Sequence, residues 1–154
     1  MGIYEREEEQ QRSLLTLATI IFNILRDVGE ELMEKDRVLV VEDEKLIRHF
    51  IEVTLRNVCE VTAVSDGRAG LAALEATPKA FSVVLTDVDM PLMSGIEMLR
   101  IARERDILGE AKIIVMSGRL NFATIEQELG SDFGATFLEK PFSPKNDLLP
   151  LVKK

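Results

Sequence analysis

Three short apolar runs, VLVV (Val38 to Val41), SVVLT (Ser82 to Thr86) and KIIVM (Lys112 to Met116), each break off at polar residues. Runs of this length suit buried strands and are too short for helices. CEVTAV (Cys59 to Val64) and ATFLE (Ala135 to Glu139) are weaker strand candidates. Helical patterns lie between them, near residues 45–57, 67–76, 95–106 and 121–130. Five β units joined by helices imply an α/β fold whose parallel sheet is covered on both faces. Ligands of such sheets bind outside the carboxyl ends of the strands, where the strand order reverses.

The residues that follow each strand therefore matter most. The first strand runs into Glu42 and Asp43, and the third into Asp87, Val88, Asp89, Met90 and Pro91. Ser117 and Gly118 follow the fourth, and Lys140 and Pro141 the fifth. Three carboxylates within about 5 Å of one another repel by roughly 3 kcal/mol per pair at an effective dielectric of 20. Mg²⁺ prefers hard oxygen ligands of this kind and removes that repulsion. One carboxylate can then attack phosphorus, with Lys140 and the Ser117 hydroxyl available to phosphoryl oxygens.

VLVVEDE, DVDMPLMSG, IIVMSG and GATFLEKPF, in that order and spacing, resemble the receiver domain of bacterial two-component response regulators. The resemblance covers about residues 37 to 154 and implies a flavodoxin-like, doubly wound sheet of order 2-1-3-4-5. It implies that Asp87 is the phosphoacceptor. Asp43 is then a direct Mg²⁺ ligand, with Glu42 acting partly through water and the backbone carbonyl of Asp89 completing the set with Asp87. Ser117 is implied as the switch hydroxyl, Phe137 as the aromatic partner that swings inward with it, and Lys140 as the phosphate-binding lysine. The Lys140–Pro141 bond is expected to be cis, as is usual in that family. Glu42 stands where aspartate is commoner, and Phe137 where tyrosine is. Asp89 and Arg119 lie where receivers tune the lifetime of the phosphoaspartate. Expected partners are a sensor histidine kinase or phosphotransfer protein and a downstream protein target. Phosphorylation should alter the face built from the domain's fourth helix, fifth strand and fifth helix. The architecture resembles that of chemotaxis-type single-domain regulators, and no output domain is expected after Lys140.

Residues 1–36 read differently and are expected to form an extra N-terminal helix. Leu14, Ala18, Ile21, Leu25, Val28 and Leu32 recur at spacings of four and three, the seam of a coiled coil or bundle. Leu15, Leu17, Ile20, Phe22 and Ile24 widen that seam, and Thr16, Thr19, Asn23 and Arg26 leave only a narrow polar stripe. Such a helix must be buried on most sides, by another copy in a homodimer or by the receiver. Gly29 is expected to weaken or bend it. The apolar stretch from Leu14 to Leu25 falls short of the roughly 20 residues that span a bilayer, so no membrane insertion is expected. The start, MGIYEREEEQQR, is acidic where a signal peptide is basic.

Net charge is −8 at pH 7. Residues 1–36 carry 4 basic and 9 acidic groups, and the remainder 15 and 18, so nucleic acid is not an expected partner. Cys59 is the single cysteine and reads as a small core residue in a reducing compartment, the cytoplasm. His49 reads as a helix-flank residue, Met90, Met93, Met98 and Met116 as core filler, and Gly67 and Gly95 as helix openers or turns. Pro144 suits the first turn of a last helix after Ser143, and Pro150 should cut that helix short.

Two other readings compete. Asp87-x-Asp89 after an apolar strand also resembles the first motif of haloacid-dehalogenase-like phosphatases, which need an acidic pair after the lysine. Only Asp147 follows Lys140, and the acidic pair precedes Asp87 instead. The third reading is a receiver-fold interaction scaffold that is never phosphorylated, against which the intact site residues argue.

Overall fold

The computed structural model describes residues 3–32, 35–118 and 122–153, with side chains for 8–26 of the first segment. The chain divides into two units, Met1–Glu34 and Lys35–Lys154. The first is a single helix, α1 (Ile3–Leu32), which runs through Gly29. Its eight large apolar side chains from Leu14 to Leu25 are each 48–69% exposed. Thr16 and Thr19, in the polar stripe, turn their hydroxyls onto the carbonyls of Arg12 and Leu15. The side chains of Val28 and Leu32, the end of the expected seam, lie outside the described residues.

In the second unit β1 (Arg37–Val41), β2 (Glu60–Val64), β3 (Val83–Asp87), β4 (Lys112–Ser117) and β5 (Thr136–Glu139) form one parallel sheet. Its order is β2-β1-β3-β4-β5, as the resemblance implied. The connecting helices are α2 (Lys45–Leu55), α3 (Gly67–Ala76), α4 (Gly95–Glu104) and α5 (Phe122–Leu129). Two of them start with side-chain caps: Asp66 accepts from the Ala69 N–H at α3, and Ser94 from the Glu97 N–H at α4.

Side chains alternate across the sheet, so each strand feeds two cores. Leu39, Val41, Val84, Ile113 and Val115 pack with α3, α4 and α5. Val38, Val40, Val83, Leu85, Ile114, Met116 and Leu138 pack on the other face with Ile51 and Leu55 of α2 and with the C-terminal helical segment. Cys59 is buried there, and burial pushes its thiol pKa up, in keeping with an inert core role. Met98 and Met116 are fully buried, and Met90 and Met93 pack against the core from its edge.

The last segment corrects one expectation. Helical structure passes through Pro150: a π turn, Pro144–Leu148, leads into α6 (Leu149–Val152). The Leu149 N–H bonds to the Pro144 carbonyl, five residues back, and this widened turn accommodates the proline that follows. The start is capped as the sequence suggested, with Ser143 Oγ accepting from the Asn146 N–H and Asp147 Oδ2 accepting from the Ser143 N–H.

Candidate functional site

Register brings the polar residues together. Val41 pairs with Thr86, so Glu42 and Asp87 are each one residue further on neighbouring strands. Asp87 lies level with Met116, and Ser117 with Glu139, one residue before Lys140. The Lys140 N–H donates to the Ser117 carbonyl at 2.9 Å, and the Val88 N–H to the Met116 carbonyl at 3.2 Å. Alternation assigns the faces: Glu42 and Lys140 continue the α2 side with Asp87, whereas Ser117 and Phe137 continue the side of α3, α4 and α5.

On the α2 side the charges are close-packed. Carboxylate oxygens of Glu42, Asp43 and Asp87 lie within 4.8 Å of one another. Lys140 Nζ is 2.7 Å from Glu42 Oε2 and 3.2 Å from Asp87 Oδ1. Glu42 is fully buried and Asp87 is 5% exposed. Glu42 Oε1 accepts the Glu44 N–H at 3.2 Å, but Oε2 has only the ionic contact with Lys140 and no well-directed hydrogen bond. Burial raises the Glu42 and Asp87 pKa values, against the pull of Lys140. Burial pulls the Lys140 pKa down, but Glu42 and Asp87 outweigh it and the net shift is upward. One ammonium thus faces more negative charge than it neutralises, and a buried carboxylate oxygen remains open to a further cation.

The fit to Mg²⁺ follows from that donor set. All three side chains of the cluster offer hard carboxylate oxygens, the donors that Mg²⁺ prefers. Asp89 is exposed and lines a cleft of about 570 Å³ together with Asp43, Asp87 and Lys140. Ile47, Phe50 and Phe142 add apolar lining to the same cleft. The bond between Lys140 and Pro141 is cis.

Ser117 is 2% exposed, and Phe137 is half-buried and stacks on Phe122 of α5 with ring centroids 5.2 Å apart. Arg119 lies outside the described residues. His49 is exposed on α2, as its place in the helix suggested.

Several contributions to the site escaped the sequence reading, which gave Gly95 only as a helix opener or turn. Gly95 opens α4 where a Cβ would meet the Asp87 carbonyl at 2.0 Å and Thr86 Oγ1 at 2.5 Å, so only glycine lets the helix approach the strand end. Thr86 is fully buried and donates its hydroxyl to the Asp87 carbonyl at 3.0 Å. A hydroxyl inside an apolar strand was the available signal. Leu46 and Phe50 of α2 are 72% and 61% exposed. Their signal was an apolar arc in KLIRHFIEVTL too wide for one buried face.

Comparison with known proteins bears on the whole unit. Residues 38–153 match the family described as response regulator receiver domain. The chain is similar to the response regulator receiver protein CpdR of Brucella abortus, with 35% identity over 121 residues, covering 77% of this chain and 94% of CpdR. It is 35% identical over 112 residues to YkoG of Bacillus subtilis, an uncharacterized transcriptional regulatory protein, covering 71% of this chain and 46% of YkoG. It thus spans less than half of that relative's length. The chemotaxis protein CheY4 of Vibrio cholerae has a solved structure that superposes with a TM-score of 0.66 at 33% identity, covering 76% of this chain and 95% of CheY4.

Proposed function

The chain belongs to the response regulator receiver domain family, and from that premise we propose that it is a phosphoryl-accepting switch of a two-component system or phosphorelay, with Asp87 as acceptor. The observation that carries this reading is the meeting of Asp87, two further carboxylates and Lys140 at one sheet edge. Glu42, Asp43, Asp87 and the backbone carbonyl of Asp89 would hold Mg²⁺. When bound, the ion supplies the positive charge that lets an anionic carboxylate meet an anionic phosphoryl group.

The chain's own groups do the rest. An Asp87 carboxylate oxygen forms a bond to phosphorus as the bond from phosphorus to the donor breaks. The leaving group, a histidine nitrogen or acetate oxygen, takes the electron pair. Lys140 and the Ser117 hydroxyl meet two phosphoryl oxygens as charge builds on them. Inward movement of Ser117 and Phe137 alters the stack with Phe122, and so the face made by α5, β5 and α6. The exposed Phe50, which lines the cleft, and the exposed Leu46 on the same helix favour a phosphodonor that docks an apolar surface on α2.

The proposed output is a changed protein–protein contact with a downstream target in the cytoplasm. Among the described residues no helix is long and apolar enough to cross a membrane. We read the division at residue 36 as functional: α1 serves self-association, as homodimerisation through the Leu14–Leu32 seam, and 37–154 the switch. The apolar girdle of α1 supports this.

Incubation with Mg²⁺ and acetyl phosphate, followed by intact mass, tests the switch. One labile phosphoryl group per chain, absent with chelator, is the expected result. Many turnovers of phosphate release from p-nitrophenyl phosphate would instead restore the phosphatase reading. No reaction with either reagent would leave an interaction scaffold.

A further inference from the structure

The acidic turn between β1 and α2 is held from behind by a side chain with no part in the reaction above. Arg48, at the end of the first turn of α2, donates from Nη1 to the carbonyl of Glu42 at 2.5 Å and to that of Asp43 at 3.1 Å. It is half-buried, and among the described residues no carboxylate forms an ion pair with it. Its charge is therefore directed at the peptide groups of the two acidic residues and at no acid side chain.

The consequence for Glu42 and Asp43 differs in degree. Glu42 is also tied through its N–H to the Val64 carbonyl at 3.1 Å and through Oε1 to the Glu44 N–H at 3.2 Å. Asp43 has no other hydrogen bond among the described residues. It comes after the last strand residue and before the helix, where neither ladder constrains it. Among the described residues, Arg48 supplies the hydrogen bond made directly to its backbone.

Resting on the reading of Glu42, Asp43 and Asp87 as a Mg²⁺ site, we propose that Arg48 is a positioning residue for that site. Its guanidinium clamps two successive carbonyls and so presents the Glu42 and Asp43 carboxylates together. Both donations leave one nitrogen, Nη1, whose two N–H groups are fixed in the guanidinium plane, whereas the donors of a lysine ammonium rotate freely and sit on a differently shaped stem.

Two effects of Arg48 on a cation oppose each other. As a charge it repels the ion, and its removal would tighten binding. As a clamp it orients ligands, and residues that orient metal ligands typically contribute about 10–100-fold in affinity. The clamp dominates here. The charge acts across a turn whose Asp43 and Glu44 are partly open to solvent, whereas the hydrogen bonds act on the ligand residues themselves.

Calorimetric titration of the full chain with Mg²⁺ distinguishes them, using wild type, Arg48→Lys and Arg48→Met. Thermal midpoints in chelator and in Mg²⁺ are recorded alongside. The clamp predicts about tenfold weaker binding in Arg48→Met and a smaller loss in Arg48→Lys, which keeps the charge and a donor nitrogen but not its fixed direction. It also predicts that the rise in midpoint on adding Mg²⁺ shrinks in the same order. Equal or tighter binding by Arg48→Met would overturn the proposal in favour of simple repulsion. A midpoint that falls in chelator while Mg²⁺ affinity stays unchanged would overturn it in favour of a purely structural role. Should Arg48→Met not fold, unchanged affinity in Arg48→Lys overturns the proposal and weakened affinity supports it. A wild-type chain that takes up no Mg²⁺ would sink the site reading along with it.

Discussion

The two units treat the same kind of residue in opposite ways. In the receiver unit Leu39, Leu85, Ile114 and Met116 are wholly buried, and the polar groups taken inside with them converge on one sheet edge. In α1 the leucines and isoleucines from Leu14 to Leu25 stay about half to two-thirds exposed. Burying a large aliphatic side chain stabilises a fold by about 1.5–3 kcal/mol relative to leaving it in water. The receiver unit has taken that gain within itself and can devote its buried charges to a site. The α1 helix has not, and its apolar surface acquires meaning only through whatever covers it. One unit closes its apolar surface within itself, and the other leaves it open.

The largest expected effect comes from separating them. Removing residues 1–34 should convert an associating chain into a monomer by sedimentation equilibrium while residues 35–154 keep a cooperative thermal transition. A monomeric full-length chain would remove the association role, and loss of the transition would deny that the receiver unit closes on its own.

Matched truncations sharpen the contrast. Leu85→Ala should cost about 2–5 kcal/mol in denaturant unfolding of the receiver unit, through lost burial and the cavity left behind. Leu17→Ala should leave that transition within about 0.5 kcal/mol, as exposed positions usually do, while weakening self-association. Equal costs at both positions would erase the distinction between the units.

Gly95→Ala comes next, at about 1–3 kcal/mol, because the added methyl meets the Asp87 carbonyl and the Thr86 hydroxyl. It should also lower Mg²⁺ affinity by displacing the strand end that carries Asp87. A tolerated alanine, with affinity intact, would show that α4 can withdraw without disturbing the site.

The smallest effect is in pH. Burial raises the folded-state pKa values of Glu42 and Asp87. Through that range the folded state binds more protons than the unfolded chain, so this pair contributes stability at low pH that is lost as pH rises through the folded values. In chelator, Asp87→Asn should therefore be more stable than wild type at pH 7.5, by a margin that narrows towards pH 5. A margin that widens on acidification would mean that Lys140 wins over burial.

Much of this was legible because strand periodicity and strand-end chemistry are local. VLVV, SVVLT and KIIVM announce buried strands, and the residues just after them follow from where such sheets bind ligands. Glu42, Asp43, Asp87, Ser117 and Lys140 could thus be singled out from the chain alone. Less legible were features that depend on distance in space. The approach of α4 that requires Gly95, the Arg48 clamp and the Phe122 partner of Phe137 are contacts between elements, and no single stretch encodes them. Pro150 misled for a related reason. Its helix-breaking tendency assumes an α turn, and the π turn from Pro144 supplies a different hydrogen-bond route.

The central claim, that Asp87 takes the phosphoryl group, is tested most directly by trapping the acyl phosphate. Full-length protein treated with Mg²⁺ and acetyl phosphate would be reduced with borohydride, digested and mapped by peptide mass. Reduction of the mixed anhydride converts the phosphorylated aspartate to homoserine, so the modified position is read without labelling. Homoserine at residue 87, and none when Mg²⁺ is withheld, is the predicted result. Homoserine at 43 or 89, or an unmodified Asp87 in protein that has gained a phosphoryl group, would contradict it.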